Sequence, residues 1–502
     1  MRLGRNLLAG LANSAWSALI ALAVVPLYLR YLGIEAYGLI GVFVTTQALC
    51  QLLDMGLAPT VTREIARCSV SGDLHEARKL LRTLTVVYWG VALAILMLIS
   101  LLAPLISQYW LQSKQISPET IHHAVILMGF VVATRWPIGL YQGALMGAQR
   151  VVVSSSINIA LGTIGSLGAV AVLAYISATI EAFFIWQAAV GLAYAEVMRR
   201  AAWWAVGREK SLPFDWRSLQ RVWRFSAGMS VVALSGIIFA QLDKVILSKL
   251  LGLEEFGQYM LATVVVSALY AFSAPFFNVV YPRFAALVAG GSTSQLADLY
   301  RLCSRVMATV LFPVAMFLAL FGKELVTVWT GDAAIATTAA PVIALLALGS
   351  ALHGVMYMPY ALQLAYGNTR LPIVITFILM AFLAPLIVFL TLAHGAQGAA
   401  MAWLTLHVVY LTLGTWLTHR HFLKGLAAEW ILLEVGIPFA LTGLVGLLGG
   451  RIIQFGDFSV YEKLLFGAVM ALTAVILSVV TSPPLRIIVL TRLGQMRAAI
   501  AG

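Results

Sequence analysis

Stretches of about twenty or more predominantly apolar residues, separated by short polar loops, recur from one end of this chain to the other. At 1.5 Å of rise per residue, each is long enough to cross the ~30 Å hydrocarbon layer of a bilayer as a helix. No alternation of period two, the mark of a membrane barrel, takes their place. Backbone amides find no water inside a membrane, so such segments must satisfy their own hydrogen bonds. Only 10% of the 502 residues are charged and 61% are hydrophobic, whereas a soluble domain carries about a quarter charged residues. The expected fold is an all-α polytopic membrane protein. Fourteen transmembrane helices are expected, near 7–29, 36–58, 84–106, 121–146, 152–174, 181–203, 226–248, 257–280, 302–322, 339–364, 372–393, 398–418, 430–450 and 463–482. The first runs through Pro26 and Tyr28 without a small-residue cleavage site, and is read as a retained helix rather than a signal peptide.

The net charge of +12 would suit a nucleic-acid partner if it formed one patch. Its placement argues otherwise. With the N-terminus in the cytoplasm, 24 of the 32 Lys and Arg fall in the N-terminus, the even-numbered loops and the C-terminal tail. Six fall in the opposite loops, and two, Arg135 and Lys244, fall inside spans. This is the positive-inside pattern, with both termini cytoplasmic, and it accounts for the charge without nucleic acid. Cys50, Cys68 and Cys303 lie in or beside spans and imply no disulfide framework.

The chain is also written twice. "YLGIEAYGLI" at 31–40 returns as "LLGLEEFGQY" at 250–259, and the same offset of 219 pairs Arg2 with Arg221, Arg30 with Lys249, Gly72 with Gly291 and Arg82 with Arg301. Residues 1–206 and 226–420 are therefore read as two six-helix repeats. Six is even, so the copies are parallel, and such repeats flank a central cavity in secondary transporters. Residues 207–225 form a cytoplasmic amphipathic linker, in which Trp216, Leu219 and Trp223 share one face and Arg217, Arg221 and Arg224 another, as on an interfacial helix. Residues 421–502 add two further helices and a cytoplasmic tail. In the repeated L-G-x-E-x-aromatic-G stretch, the first Gly suits a left-handed helix end and the Glu suits the first turn of the next helix. Asp73 with Glu76, and Ser292 with Gln295, have the spacing of capping boxes.

Polar side chains inside spans are costly and mark either a cavity or an interhelical bond. Arg135 is the sharpest case, beside Pro137 in the fourth span, with Gln142 on the same face. It is either paired with an acid on a neighbouring helix or aimed at an anionic substrate group, where an arginine fork suits phosphate. Gln47, Gln51 and Asp54 form a stripe on the second span. Asp243 and Lys244 on the seventh are adjacent and so diverge by about 100°, which argues against simple mutual neutralisation. His353, Tyr357, Tyr360 and Gln363 form a stripe on the tenth, and His407 lies on the twelfth; each imidazole suits either packing or a proton relay. Arg30 and Lys249 end the first and seventh spans in equivalent places, as snorkelling cations or a basic mouth. The candidate substrate-binding set is Arg135, Gln142, Lys244, Arg30, Lys249, Gln47 and Gln51, and the candidate ion-coupling set is Asp54, Asp243 and His353. No nucleotide phosphate loop and no Cys/His cluster of metal spacing occurs, so no cofactor and no metal is expected.

Twelve spans in two parallel repeats plus two more resemble the multidrug/oligosaccharidyl-lipid/polysaccharide exporter superfamily, and within it the Wzx-type polysaccharide flippases. Asn13, "VVPLYLRYLGIEAYGLI" at 24–40, "LLDMGLAPTVTREIA" at 52–66, "QLDKVILSKLLGLEEFGQY" at 241–259 and "YPRFAAL" at 281–287 carry the resemblance. It implies a non-enzymatic transporter in the bacterial inner membrane. The cargo it implies is an undecaprenyl-pyrophosphate-linked oligosaccharide, moved from the cytoplasmic to the periplasmic leaflet by alternating access. Cationic cavity residues, matched here to Arg135, Lys244 and Arg30, would meet the headgroup. Membrane lipids and other polysaccharide-export proteins would be its partners. The extra helix pair is similar to that of lipid II flippases and keeps a peptidoglycan precursor as an alternative. A cation-coupled multidrug exporter centred on Asp54 and Asp243 is a second alternative, and a membrane glycan polymerase or ligase is the enzymatic one.

Overall fold

The structure is a computed structural model that describes residues 2–71, 73–207, 213–487 and 490–491, with the side chains of 221–233 and a few other helical positions outside the description. Among the described residues the regular structure is helical, apart from one isolated parallel bridge between Gln112 and Gly252. Among the described residues, ten helices are long and apolar enough to cross a membrane, or eleven if the pair Leu253–Val266 and Ala268–Ala289, which meet at 44°, counts as one. This is an all-helical polytopic membrane protein.

Part of the shortfall from fourteen separate helices has a physical reason. Ala12–Asp54 has 43 residues and Arg370–His421 has 52, about 65 and 78 Å if straight, or roughly twice the hydrocarbon thickness. Each is broken at one glycine, Gly33 with φ 80° and Gly395 with φ 58°. Those values lie in the left-handed region that favours glycine. In each of these helices two expected spans therefore join through a single residue instead of a loop.

The chain divides into two compact units, residues 1–257 and 258–502. The first holds α1 (Arg2–Cys50), α2 (Leu57–Ser71), α3 (Leu74–Leu105), α4 (Pro118–Arg135), α5 (Ile138–Gly147), α6 (Val151–Tyr175), α7 (Ile180–Val206) and α8 (Trp216–Leu250). α9 (Leu253–Val266) begins in this unit. α4 and α5 are separated at Trp136-Pro137, where the ring cannot donate to the helical ladder. α5 packs on α2 through Gly143-x-x-x-Gly147, because a Cβ on Gly143 would lie 2.8 Å from the Ala58 carbonyl oxygen. Thr62 Oγ1 donates to the Gly143 carbonyl across the same contact at 3.1 Å. Small residues that let backbones approach are a principal source of helix association in lipid. Tyr88, Tyr141, Ile65, Leu81 and Met198 fill the core beside it.

At the Gly33 break, Glu35 does more than favour its own helix start. Its buried carboxylate accepts from Ser113 Oγ at 2.5 Å and from the backbone amides of Lys114 and Gln115 at 3.2 and 3.1 Å. Its counterpart Glu254 lies in the first turn of α9 and faces Lys114 Nζ at 4.0 Å. Gly252, the counterpart of Gly33, is not left-handed. The two copies of the motif thus hold the loop between α3 and α4 by different bonds. Of the two expected capping boxes, Asp73 accepts from the Glu76 amide at 3.1 Å, whereas Ser292 makes no capping hydrogen bond. Trp216 opens α8 and is exposed; the side chains of Arg217, Arg221, Trp223 and Arg224 lie outside the description.

The second unit holds α10 (Ala268–Ala289), α11 (Thr293–Thr330), α12 (Ala333–Val355), α13 (Tyr357–Ala365), α14 (Arg370–Val409), α15 (Thr415–His421), the short α16 (Ala427–Glu429), α17 (Ile437–Phe455) and α18 (Val460–Val480). α11 packs against α12, α17 and α18. The turn leading into α17 is tied to α11 by polar bonds: Trp430 Nε1 donates to Ser304 Oγ at 2.8 Å, and Arg305 Nε pairs with Glu434 at 2.7 Å. Arg301 pairs with Glu429 beside them. Ser459 and Glu462 form a complete capping box at the start of α18.

Candidate functional site

The first unit contains a half-open cavity of about 860 Å³ between α1, α2, α4, α5, α6, α7 and α8. Arg135, Gln142, Gln47, Gln51 and Asp54 all line it. Their convergence follows from local breaks in the helices. Arg135 occupies the last turn of α4, just before the proline break, and Gln142 lies on the short α5 that follows. Gln51 and Asp54 lie on the tight turn, Gln51–Asp54, that ends the first long helical segment. Met55 closes this turn in the left-handed region, at φ 45°.

Arg135 has no carboxylate within ion-pairing distance among the described residues. Its Nη2 donates instead to Gln187 Oε1 at 2.5 Å, while Gln187 Nε2 donates to the Gly165 carbonyl at 3.3 Å. The second bond turns the amide oxygen toward the guanidinium. The Phe43 ring lies 5.7 Å from the Arg135 Cζ, and its buried Nε makes no hydrogen bond. The cation is therefore oriented by a neutral amide and an aromatic face, and its charge is left unneutralised. Gln187 and Tyr194 also line this cavity, and neither is among the residues expected from sequence. Their signal was present, since the two stand seven residues apart on α7, the same spacing on one helix face that links Arg135 to Gln142.

Asp54 faces the same cavity with both carboxylate oxygens engaged. Tyr88 donates its hydroxyl to Oδ1 at 2.5 Å, and the Ala58 amide at the start of α2 donates to Oδ2 at 3.2 Å. Asp54 thus supports the first turn of α2.

The remaining candidates lie elsewhere. Lys244 folds back on its neighbour, with Nζ donating to the Asp243 oxygens at 3.1 and 3.2 Å and to the Ala240 carbonyl at 3.0 Å. This corrects the expectation that the two would not neutralise one another: Cβ directions diverge, but the flexible four-carbon lysine stem closes the gap. Arg30 is exposed beside the Tyr31 ring, and Lys249 borders a separate cleft. In the second unit, His353 Nδ1 lies 3.1 Å from the Tyr270 hydroxyl and its ring 4.8 Å from that of His407. His407 donates Nδ1–H to the Trp403 carbonyl at 2.8 Å. Tyr357 edges onto His353, Tyr360 stacks on Phe277, and Gln363 donates to Thr418 Oγ1 at 2.7 Å. The stripe on the tenth span is thus a packed aromatic and hydrogen-bonded seam. No group of three or more metal-ligating side chains occurs among the described residues.

Comparison with known proteins adds three findings. The polysaccharide biosynthesis protein family is matched over residues 3–288. A Shigella flexneri protein described as a "Putative O-antigen transporter" is 22% identical over 426 residues, which is 81% of this chain and 97% of the relative. Among solved structures, the lipid II flippase MurJ in an inward closed conformation superposes with a TM-score of 0.65 at 13% identity, over 93% of this chain and 98% of that one. An inward-facing multidrug resistance MATE family transporter of the MOP superfamily gives 0.61 at 14%, over 82% and 96%. At such identities the likeness is one of fold.

Proposed function

The chain belongs to the polysaccharide biosynthesis protein family, with the fold of the MOP superfamily of transporters, and on that premise we propose that it flips a lipid-linked oligosaccharide. The cargo in this reading is an undecaprenyl-pyrophosphate-linked glycan, taken from the cytoplasmic to the periplasmic leaflet of the bacterial inner membrane by alternating access. α1 and α14 each cross twice, broken at Gly33 and Gly395, while α8 crosses once and α9 with α10 cross together. That makes fourteen crossings, arranged as two parallel six-helix repeats and a C-terminal pair, with both termini in the cytoplasm.

The observation that carries the reading is the unneutralised Arg135 in its cavity. A guanidinium taken out of water costs several kcal/mol unless a counter-charge repays it. Gln187 supplies one hydrogen bond and no charge, so the site is electrostatically complete only with an anion present. The planar fork suits two phosphate oxygens, and Gln47, Gln51 and Gln142 offer amide donors and acceptors to sugar hydroxyls. The prenyl chain needs no such help and stays in lipid. A drug-cation exporter would need an available carboxylate, and Asp54 and Asp243 are both engaged by other groups.

The test is the leaflet distribution of undecaprenyl-linked saccharides in cells lacking the protein, with wild type or Arg135→Ala supplied back. Accumulation on the cytoplasmic face, relieved by wild type and not by an inserted Arg135→Ala protein, is expected. An unchanged distribution without the protein would overturn the reading. Accumulation of a peptidoglycan precursor alone would reassign the glycan.

A further inference from the structure

A second cleft of about 510 Å³ opens between α1, the end of α3 with the π-type turn Ile106–Trp110 that follows it, and the end of α8. Val42, Thr46 and Leu49 recur at helical spacing along one wall, a run of about 10 Å at 1.5 Å per residue. The opposite wall is exposed at Leu105 (55%) and Tyr109 (69%).

Several polar groups of the cleft are consumed internally. Thr45 donates to the Gly41 carbonyl at 2.9 Å. Ser248 accepts from Trp110 Nε1 at 3.0 Å and donates to the Val245 carbonyl at 2.8 Å. Lys249 stands at the end of the slot with no carboxylate partner among the described residues. Its ammonium gives one bond to the Tyr109 carbonyl and lies 5.9 Å from the Trp110 ring. An ammonium has three donors, so charge and hydrogen-bonding capacity remain unused beside a mostly apolar cleft.

We propose that this cleft binds an anionic membrane phospholipid, with its phosphate on Lys249 beside Trp110 and one acyl chain along Val42, Thr46 and Leu49. The charge pattern selects the occupant. A neutral apolar chain leaves the lysine unsatisfied, and a soluble anion leaves the slot unfilled. The assignment is independent of the cargo proposed for the Arg135 cavity, because the two pockets share no lining residue.

The full-length protein in nanodiscs of phosphatidylcholine with a minority of phosphatidylglycerol, the latter carrying a photoactivatable acyl chain, tests this directly. Cross-links mapped to 42–49 and 102–110 are expected. Labelling should fall at least fivefold in Lys249→Gln, persist in Lys249→Arg, and fall in Val42→Trp, which fills the slot while leaving the charge. A phosphatidylcholine probe should label these segments weakly in every variant. Equal labelling by both headgroups, or labelling unaffected by Lys249→Gln and Val42→Trp in monodisperse protein, would overturn the proposal. So would recovery of a prenyl phosphate from the cleft of native membranes in place of a phospholipid.

Discussion

Gly38 and Gly257, the last glycines of the two copies of L-G-x-E-x-aromatic-G, are reciprocal contacts. A Cβ on Gly38 would run into the Leu253 carbonyl oxygen, and one on Gly257 would run into the carbonyl oxygen of Ile34, the residue equivalent to Leu253. The motif therefore recurs because its two copies pack against each other, backbone to backbone. Gly38→Val or Gly257→Val should each lower thermal stability in detergent by about 1–3 kcal/mol, the usual cost of overpacking. The double variant should cost less than the sum, because both substitutions pry open one crossing. Strict additivity in a thermal-shift series would refute the shared contact.

Gln187 holds Arg135 by a neutral bond, so its charge is the variable to change. Gln187→Glu should insert normally and yet reduce saccharide translocation at least tenfold, since a carboxylate at this position would neutralise the guanidinium. Arg135→Lys should retain partial activity, keeping the charge and losing the two-pronged geometry. Both are read by the same leaflet assay.

The Arg305–Glu434 pair is largely buried, and Arg305 Nη1 also donates to Ser482 Oγ at 2.9 Å. Removing one partner strands the other charge. Arg305→Ala or Glu434→Ala should each destabilise by about 3–5 kcal/mol, while replacing both with apolar residues should cost clearly less. Protease sensitivity of the segment joining α15 to α17 would report the loss locally.

Cys68, on α2 outside the candidate spans, has its thiol pKa pushed up, first by burial and then by the nearby Glu76 carboxylate. Less thiolate is present at a given pH, and the thiolate is the reactive form. In a background with Cys50 and Cys303 replaced, alkylation at pH 8 should be slower than for free cysteine and should rise with pH. Glu76→Gln removes one upward influence and should speed it. Labelling as fast as a free thiol would contradict this environment.

Much of the molecule was legible in the chain because hydropathy is a local property. Arg135, Gln142, Gln47, Gln51 and Asp54 stood out as polar groups in apolar segments, and the proline after Trp136 announced the break that leaves Arg135 at a helix end. The repeat pointed to both glutamates at the motif, Glu35 and Glu254. It did not show that Glu35 reaches across to the amides of Lys114 and Gln115, or that Lys244 returns to Asp243. The spans were found as stretches, yet Gly33 and Gly395 join two pairs of them without a loop, which hydropathy alone could not distinguish from a short turn.

The sequence by itself determined that this chain lives in a membrane, that it is helical there, and which few polar side chains must be reconciled with hydrocarbon. Tertiary structure decided which of them meet. Arg135 faces Gln187 rather than an acid, Asp54 supports a helix start under Tyr88, and Lys249 stands apart at the end of a lipid-sized slot. The physical reason is that the cost of burying a polar group is set by its residue type. Its partner depends on how neighbouring helices are rotated and how closely they approach, and that is fixed by packing contacts such as Gly143 on Ala58 and Gly38 on Leu253.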